Sequence, residues 1–84
     1  MKKQGTEGKP TFQQIRQQAK TKEGQPITRQ DIVTLSGLTP GEVYVIDIGG
    51  YSSKKNVQTV LSIFNALTGQ KLLVSDIQLG GFIV

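Results

Sequence analysis

Neither cysteine nor histidine occurs in the 84 residues of this chain, and each absence removes a class of chemistry. Without cysteine there are no disulfides and no thiolate zinc sites; without histidine the commonest transition-metal ligand and the commonest general base are missing. No glycine-rich phosphate loop or paired carboxylate site is visible in the sequence either. No metal, cofactor or catalytic residue is therefore expected, and the chain reads as a non-enzyme. Long apolar runs are also absent: none approaches the roughly 20 residues that a spanning helix needs, and nothing resembles a secretory signal. A cytoplasmic protein without a membrane partner is the expectation. A chain of this length forms one small domain that buries about 60% of its unfolded surface, so its stability is modest.

What is present begins with charge. The net charge is +4 and the isoelectric point about 9.6, but the cations are unevenly placed. Lys2, Lys3, Lys9, Arg16, Lys20 and Lys22 precede residue 23, opposed there only by Glu7 and Glu23, whereas Arg29, Lys54, Lys55 and Lys71 are balanced by Asp31, Glu42, Asp47 and Asp76. Residues 1–10, MKKQGTEGKP, have no apolar side chain after Met1 and read as a disordered basic arm. Such an arm either adds phosphate contacts or is a solvated tail.

From Thr11 the pattern becomes helical. Phe12, Ile15 and Ala19 recur at helical spacing behind a possible Thr11 cap, which predicts a helix over 11–22, broken by Gly24 and Pro26. Thr28 and Asp31 are close to a capping box and start a short helix over 28–35, with Ser36 and Gly37 at its end. The following stretch, LSGLTPGEVYVIDIGG, has two readings. Val43, Tyr44, Val45, Ile46 and Ile48 have the composition of a buried strand. Against that, Thr39 and Glu42 fit a capping box, Pro40 suits the first helical position and Glu42 complements the positive helix end. The helix reading prevails over 40–47, with Leu38, Val43 and Ile46 inward and Tyr44 and Val45 outward. Val57, Val60, Leu61, Phe64 and Leu67 then mark one face of a helix over 56–68, capped by Ser53 or Asn56 and followed by Gly69. Beyond it, either a short fifth helix from Ser75 or a strand over 71–74 would bury part of the core. Residues 80–84 form an apolar tail that packs on its own domain or on a second copy.

The run ITRQDIVTLSGLTPGEVYVIDIGG followed by NVQTVLSIFNALTG resembles the helix-turn-helix domain of the Cro and phage-repressor (lambda-repressor-like, XRE) type, over about residues 12–77. Thr28 begins its first motif helix, Gly37 is the turn glycine, Leu38, Val43 and Ile46 match buried positions, and Asp47 and Gly49 match the residues after the recognition helix. Asn65, Ala66, Leu67 and Gly69 match the end of its fourth helix. The resemblance implies an all-α bundle of four or five helices over residues 11–79, with room for a short C-terminal strand. It also implies a sequence-specific, repressor-like transcriptional regulator that binds double-stranded DNA with its third helix in the major groove, with a homodimer as a candidate assembly.

By the same resemblance Arg29 falls where phosphate is contacted, a task that suits its fork of donors. Ser53, Lys54, Lys55 and Asn56 match the loop and helix start that touch the backbone; a solvated loop is the plainer reading of the lysines. The base-reading positions are Thr39, Pro40, Gly41, Tyr44 and Val45. Proline and glycine carry no side-chain donor, so hydrogen-bond readout is sparse. Glu42 would repel phosphate; it accepts a bond from cytosine or, the favoured reading, serves as a cap. Val33 stands where the family places alanine, and two extra residues near Gln25 and Pro26 lengthen the first connection. An acidic residue at Asp47 pairs in the family with a base on the first helix, here Arg16 or Lys20. A protein-interaction module on the same scaffold is the alternative, because fold does not fix function.

Overall fold

The structure, a computed structural model, describes residues 8–83. Residues 1–7 of the disordered arm expected over 1–10, and Val84 at the end of the apolar tail, lie outside the described residues. Four α-helices run in the order α1 (Phe12–Gln18), α2 (Arg29–Ser36), α3 (Pro40–Asp47) and α4 (Lys54–Thr68), with a short strand β1 (Tyr51–Ser52) before α4. A 3₁₀ turn (Val74–Asp76) and a second strand β2 (Gly81–Phe82) follow.

The first three helices start the same way. Thr11, Thr28 and Thr39 each accept the backbone N–H three residues on, from Gln14, Asp31 and Glu42, and each of those side chains reaches back to the threonine N–H. Each cap contributes about 1 kcal/mol, comparable to the whole spread of β-propensity. For Pro40–Asp47 the caps and a buried face outweigh the valines and the tyrosine, and the strand reading of this stretch fails. Gly37, at φ 75°, ends α2 in the left-handed region and turns the chain into α3.

α1 is shorter than the spacing predicts. Ala19 is already extended, Lys20 bridges Pro26, Thr21 N–H donates to Gln25 O at 2.8 Å and Lys22 N–H donates to Leu67 O at 3.0 Å. Tertiary backbone pairing overrides the helix propensity of Lys and Gln here. α4 begins at Lys54, two residues before the expected start, because Ser53 is the cap and accepts Asn56 N–H at 3.1 Å.

The C-terminal segment follows neither expected form. Asn65 clamps Leu72 through both backbone groups, at 2.9 and 3.0 Å. The 3₁₀ turn stands in place of a fifth α-helix, and the strand falls at Gly81–Phe82 instead of 71–74. β2 pairs in parallel with β1, Tyr51 opposite Gly81 and Ser52 opposite Phe82, so the tail packs on its own domain. Two residues assigned to the arm are docked as well: Lys9 Nζ donates to Ser75 O at 2.6 Å, and Pro10 O accepts Gln78 N–H at 2.8 Å.

The core lies between α2, α3 and α4 and is closed by α1 and Ile77. Phe12 and Phe64 meet edge to face at 5.3 Å and 77°, and Ile32, Val43, Ile46, Val57 and Val60 are fully buried around them. Burying each such side chain contributes roughly 1.5–3 kcal/mol. The molecule is thus a small, mostly helical bundle with a two-stranded parallel sheet at one edge. No helix among the described residues is long and apolar enough to cross a membrane.

Candidate nucleic-acid interface

α3 buries Val43, Ile46 and Asp47 and turns its opposite side to solvent: Thr39, Pro40, Gly41, Glu42 and Tyr44 are all exposed. Among the expected contact residues, Val45 departs from its outward position. It is half-buried and packed against the core, which removes most of the apolar contact foreseen for it. The Thr39 hydroxyl oxygen accepts Glu42 N–H at 3.1 Å, and Glu42 Oε1 accepts Thr39 N–H at 2.9 Å. Glu42 therefore does serve as a cap, as the sequence favours. The Thr39 backbone N–H, then its hydroxyl, hold the Glu42 carboxyl below its ordinary value; slight desolvation opposes them, and Asn56 adds a smaller lowering.

The Glu42 contact also joins two elements. Asn56 Nδ2 lies 3.5 Å from Glu42 Oε2, so the first turn of α4 sits beside the first turn of α3. Lys54 and Lys55, in that turn of α4, are exposed and take part in no ion pair among the described residues. Lys54 also borders a groove shared with Phe82 and the C-terminal segment.

On the other flank Arg29, the first residue of α2, lies over the Tyr44 ring with Cζ 4.9 Å from its centroid. Its Nε donates to Asp47 Oδ2 at 2.9 Å, with the Arg29 side chain 37% exposed and Asp47 fully buried. Arg16 completes the cluster from α1: Nε and Nη2 grip both Asp47 oxygens at 3.1 and 2.8 Å, and Nη1 donates to Ile27 O at 2.9 Å. Two guanidiniums thus share one buried carboxylate, leaving the cluster with an excess positive charge at its exposed Arg29 end. Of the two expected partners for Asp47, Arg16 is found and Lys20 is not; Lys20 is exposed and bridges Pro26.

The structure accordingly brings together Arg29 with Tyr44, and Thr39 and Glu42 with Asn56. The bond between Arg29 and Asp47 is not in the sequence reading. A signal for it existed, since in two helices joined by a short turn the residue that opens the first and the residue that closes the second both lie at the end away from the turn. The sequence matches no protein-family model, and neither a curated protein nor a solved structure shows significant similarity to the chain.

Proposed function

We propose that this protein is a sequence-specific DNA-binding transcriptional regulator of the lambda-repressor-like kind, repressor-like in action, that places α3 in the major groove of double-stranded DNA. The observation that carries the reading is the exposed face of α3, with the first turn of α4 beside its amino-terminal turn and Arg29, the first residue of α2, against Tyr44 in its carboxyl half. This is the arrangement a helix-turn-helix needs: the second helix enters the groove while its neighbours hold the backbone on either side.

Each residue has a role in this reading. Arg29 offers Nη1 and Nη2 to phosphate, since among the described residues only its Nε is committed, to Asp47. Lys54, Lys55, Ser53 and Asn56 contact the opposite flank. Thr39 and Tyr44 reach bases or phosphates, while Pro40 and Gly41 offer a low surface that brings the α3 backbone close to the groove. Asp47 and Arg16 set the angle of α3 and do not touch DNA.

The test is fluorescence anisotropy with random and selected duplexes at several salt concentrations. Affinity falls steeply with salt, and Lys55→Ala weakens binding evenly across sequences while reducing the salt slope by about 1. Absence of binding at low salt would overturn the proposal.

One observation favours a second reading. Glu42 keeps its charge in the middle of the exposed face, which suits a basic protein partner better than phosphate, so an interaction module on the same scaffold takes the lead if DNA binding fails.

A further inference from the structure

Gly41 is a glycine that the fold does not need. It follows Pro40 in the first turn of α3 with a helical backbone, so no left-handed conformation calls for it. Among the described residues, nothing but its chain neighbours and the helix's own backbone comes within 4 Å of where a Cβ would stand. The other described glycines either hold a positive φ or are crowded by Val45 or Tyr51. Alanine at this position would favour the helix, and neither conformation nor packing accounts for its absence.

The missing side chain leaves a notch on the exposed face. Pro40 and Tyr44 are separated by one helical turn, and Gly41 lies between them on the same side of α3. All three are exposed. The Pro40 ring and the Tyr44 ring stand on either side of the notch, the latter held by Arg29, whose Cζ lies 4.9 Å from its centroid. Its floor is backbone alone. No side-chain donor opens into it from Pro40 or Gly41, and the carboxylate of neighbouring Glu42 is turned to Thr39 and Asn56.

We infer that this notch takes the C5-methyl group of a thymine in the major groove, so that Gly41 sets the base preference at that pair. The inference rests on α3 entering the groove and names what is recognised there. Thymine is the unmodified base that offers a methyl on its major-groove edge; the other bases offer hydrogen-bonding groups in its place. Hydrocarbon walls and one absent Cβ suit a methyl in size and polarity and give those groups no partner. 5-Methylcytosine carries the same methyl, so two bases supply the chemistry and the experiment separates them.

Fluorescence anisotropy compares a selected duplex with versions in which each thymidine in turn is replaced by deoxyuridine, which removes the methyl and keeps every hydrogen-bonding group. Wild type is expected to lose affinity about fourfold at the pair that meets the notch, the worth of one methyl removed from water. Gly41→Ala fills the notch and favours the helix, so loss of fold does not cloud the comparison. That variant is expected to bind the thymidine and deoxyuridine duplexes equally at this pair. With a G·C pair placed there, methylating the cytidine is expected to give wild type a smaller gain than thymidine gives, and the variant none.

Wild type indifferent to deoxyuridine at every position, or Gly41→Ala with the full preference retained, would overturn the inference. A gain from methylated cytidine without a loss at deoxyuridine would overturn the assignment to thymine. Duplex binding with no dependence on the methyl removes this inference alone and leaves the regulator reading standing, whereas absence of binding to any duplex removes both.

Discussion

Asp47 holds Arg16 side-on, one carboxylate oxygen on Nε at 3.1 Å and the other on Nη2 at 2.8 Å, and both side chains are almost completely removed from water. The pair ties α1 to the last residue of α3. Arg29 adds a third member from α2 on the Nη2-bonded oxygen, so α1, α2 and α3 are tied together through one carboxylate. Breaking a buried pair costs far more than the pair contributes over an apolar substitute, because the remaining charge is left unpaired.

Asp47→Ala is accordingly expected to lower the unfolding free energy by about 3–5 kcal/mol, a large part of what a domain of this size has. Arg29→Ala is expected to cost about 1 kcal/mol or less, since Arg29 is partly exposed. Urea denaturation of the two variants gives the comparison; an Asp47→Ala protein as stable as wild type contradicts the structural role assigned to the cluster.

The Glu42 cap makes stability depend on acid. Its folded carboxyl titrates below its ordinary value of 4.5, so the cap's contribution is present in full above that value and is lost as the pH falls through the lowered folded value. Glu42→Gln keeps the hydrogen-bonding shape of the cap and removes the titration. The urea midpoint of the variant is expected to vary less with pH below 4.5 than that of wild type, and identical acid limbs for the two proteins would show that Glu42 is not the group involved.

The same substitution separates the two functional readings. If the exposed face meets phosphate, Glu42→Gln removes a repulsion and tightens binding to random duplex by about severalfold at low salt, an effect that shrinks as salt rises. A basic protein partner would respond in the opposite sense. Anisotropy titrations at two salt concentrations decide between them.

Two glycines near the turn predict opposite outcomes. Gly37 is at φ 75°, where a side chain is strained, and Gly37→Ala is expected to destabilise by about 1–2 kcal/mol. Gly41 lies within α3 with open space around the position a Cβ would take, so Gly41→Ala is expected to stabilise by about 0.5 kcal/mol. If Gly41 serves to bring the backbone close to a groove, the more stable variant binds DNA more weakly. Thermal melts and the DNA titration read the two effects separately.

The parts of this fold visible in the sequence are those set by neighbours in the chain. The three threonine capping boxes, Pro40 and Gly37 place α2 and α3 within a residue or so, and the spacing from Val57 to Leu67 places the body of α4. What the sequence leaves hidden depends on partners far along the chain. α1 ends early because Lys22 bonds to Leu67, and the terminal strand exists because Gly81 finds Tyr51. In the candidate site, Arg29, Thr39 and Tyr44 are legible as surface residues by their register on two helices. That Arg29 leans on Tyr44 and shares Asp47 with Arg16 is a matter of helix crossing, which local propensity does not encode.

The central claim is that the exposed face of α3 meets duplex DNA, and chemical-shift mapping of ¹⁵N-labelled protein titrated with a selected duplex tests it most directly. The account predicts the largest perturbations at Thr39, Gly41, Glu42 and Tyr44 and at Arg29, Lys55 and Asn56, with α1 and Leu72 little affected. Perturbations confined to other surfaces, or no change at low salt, would contradict it.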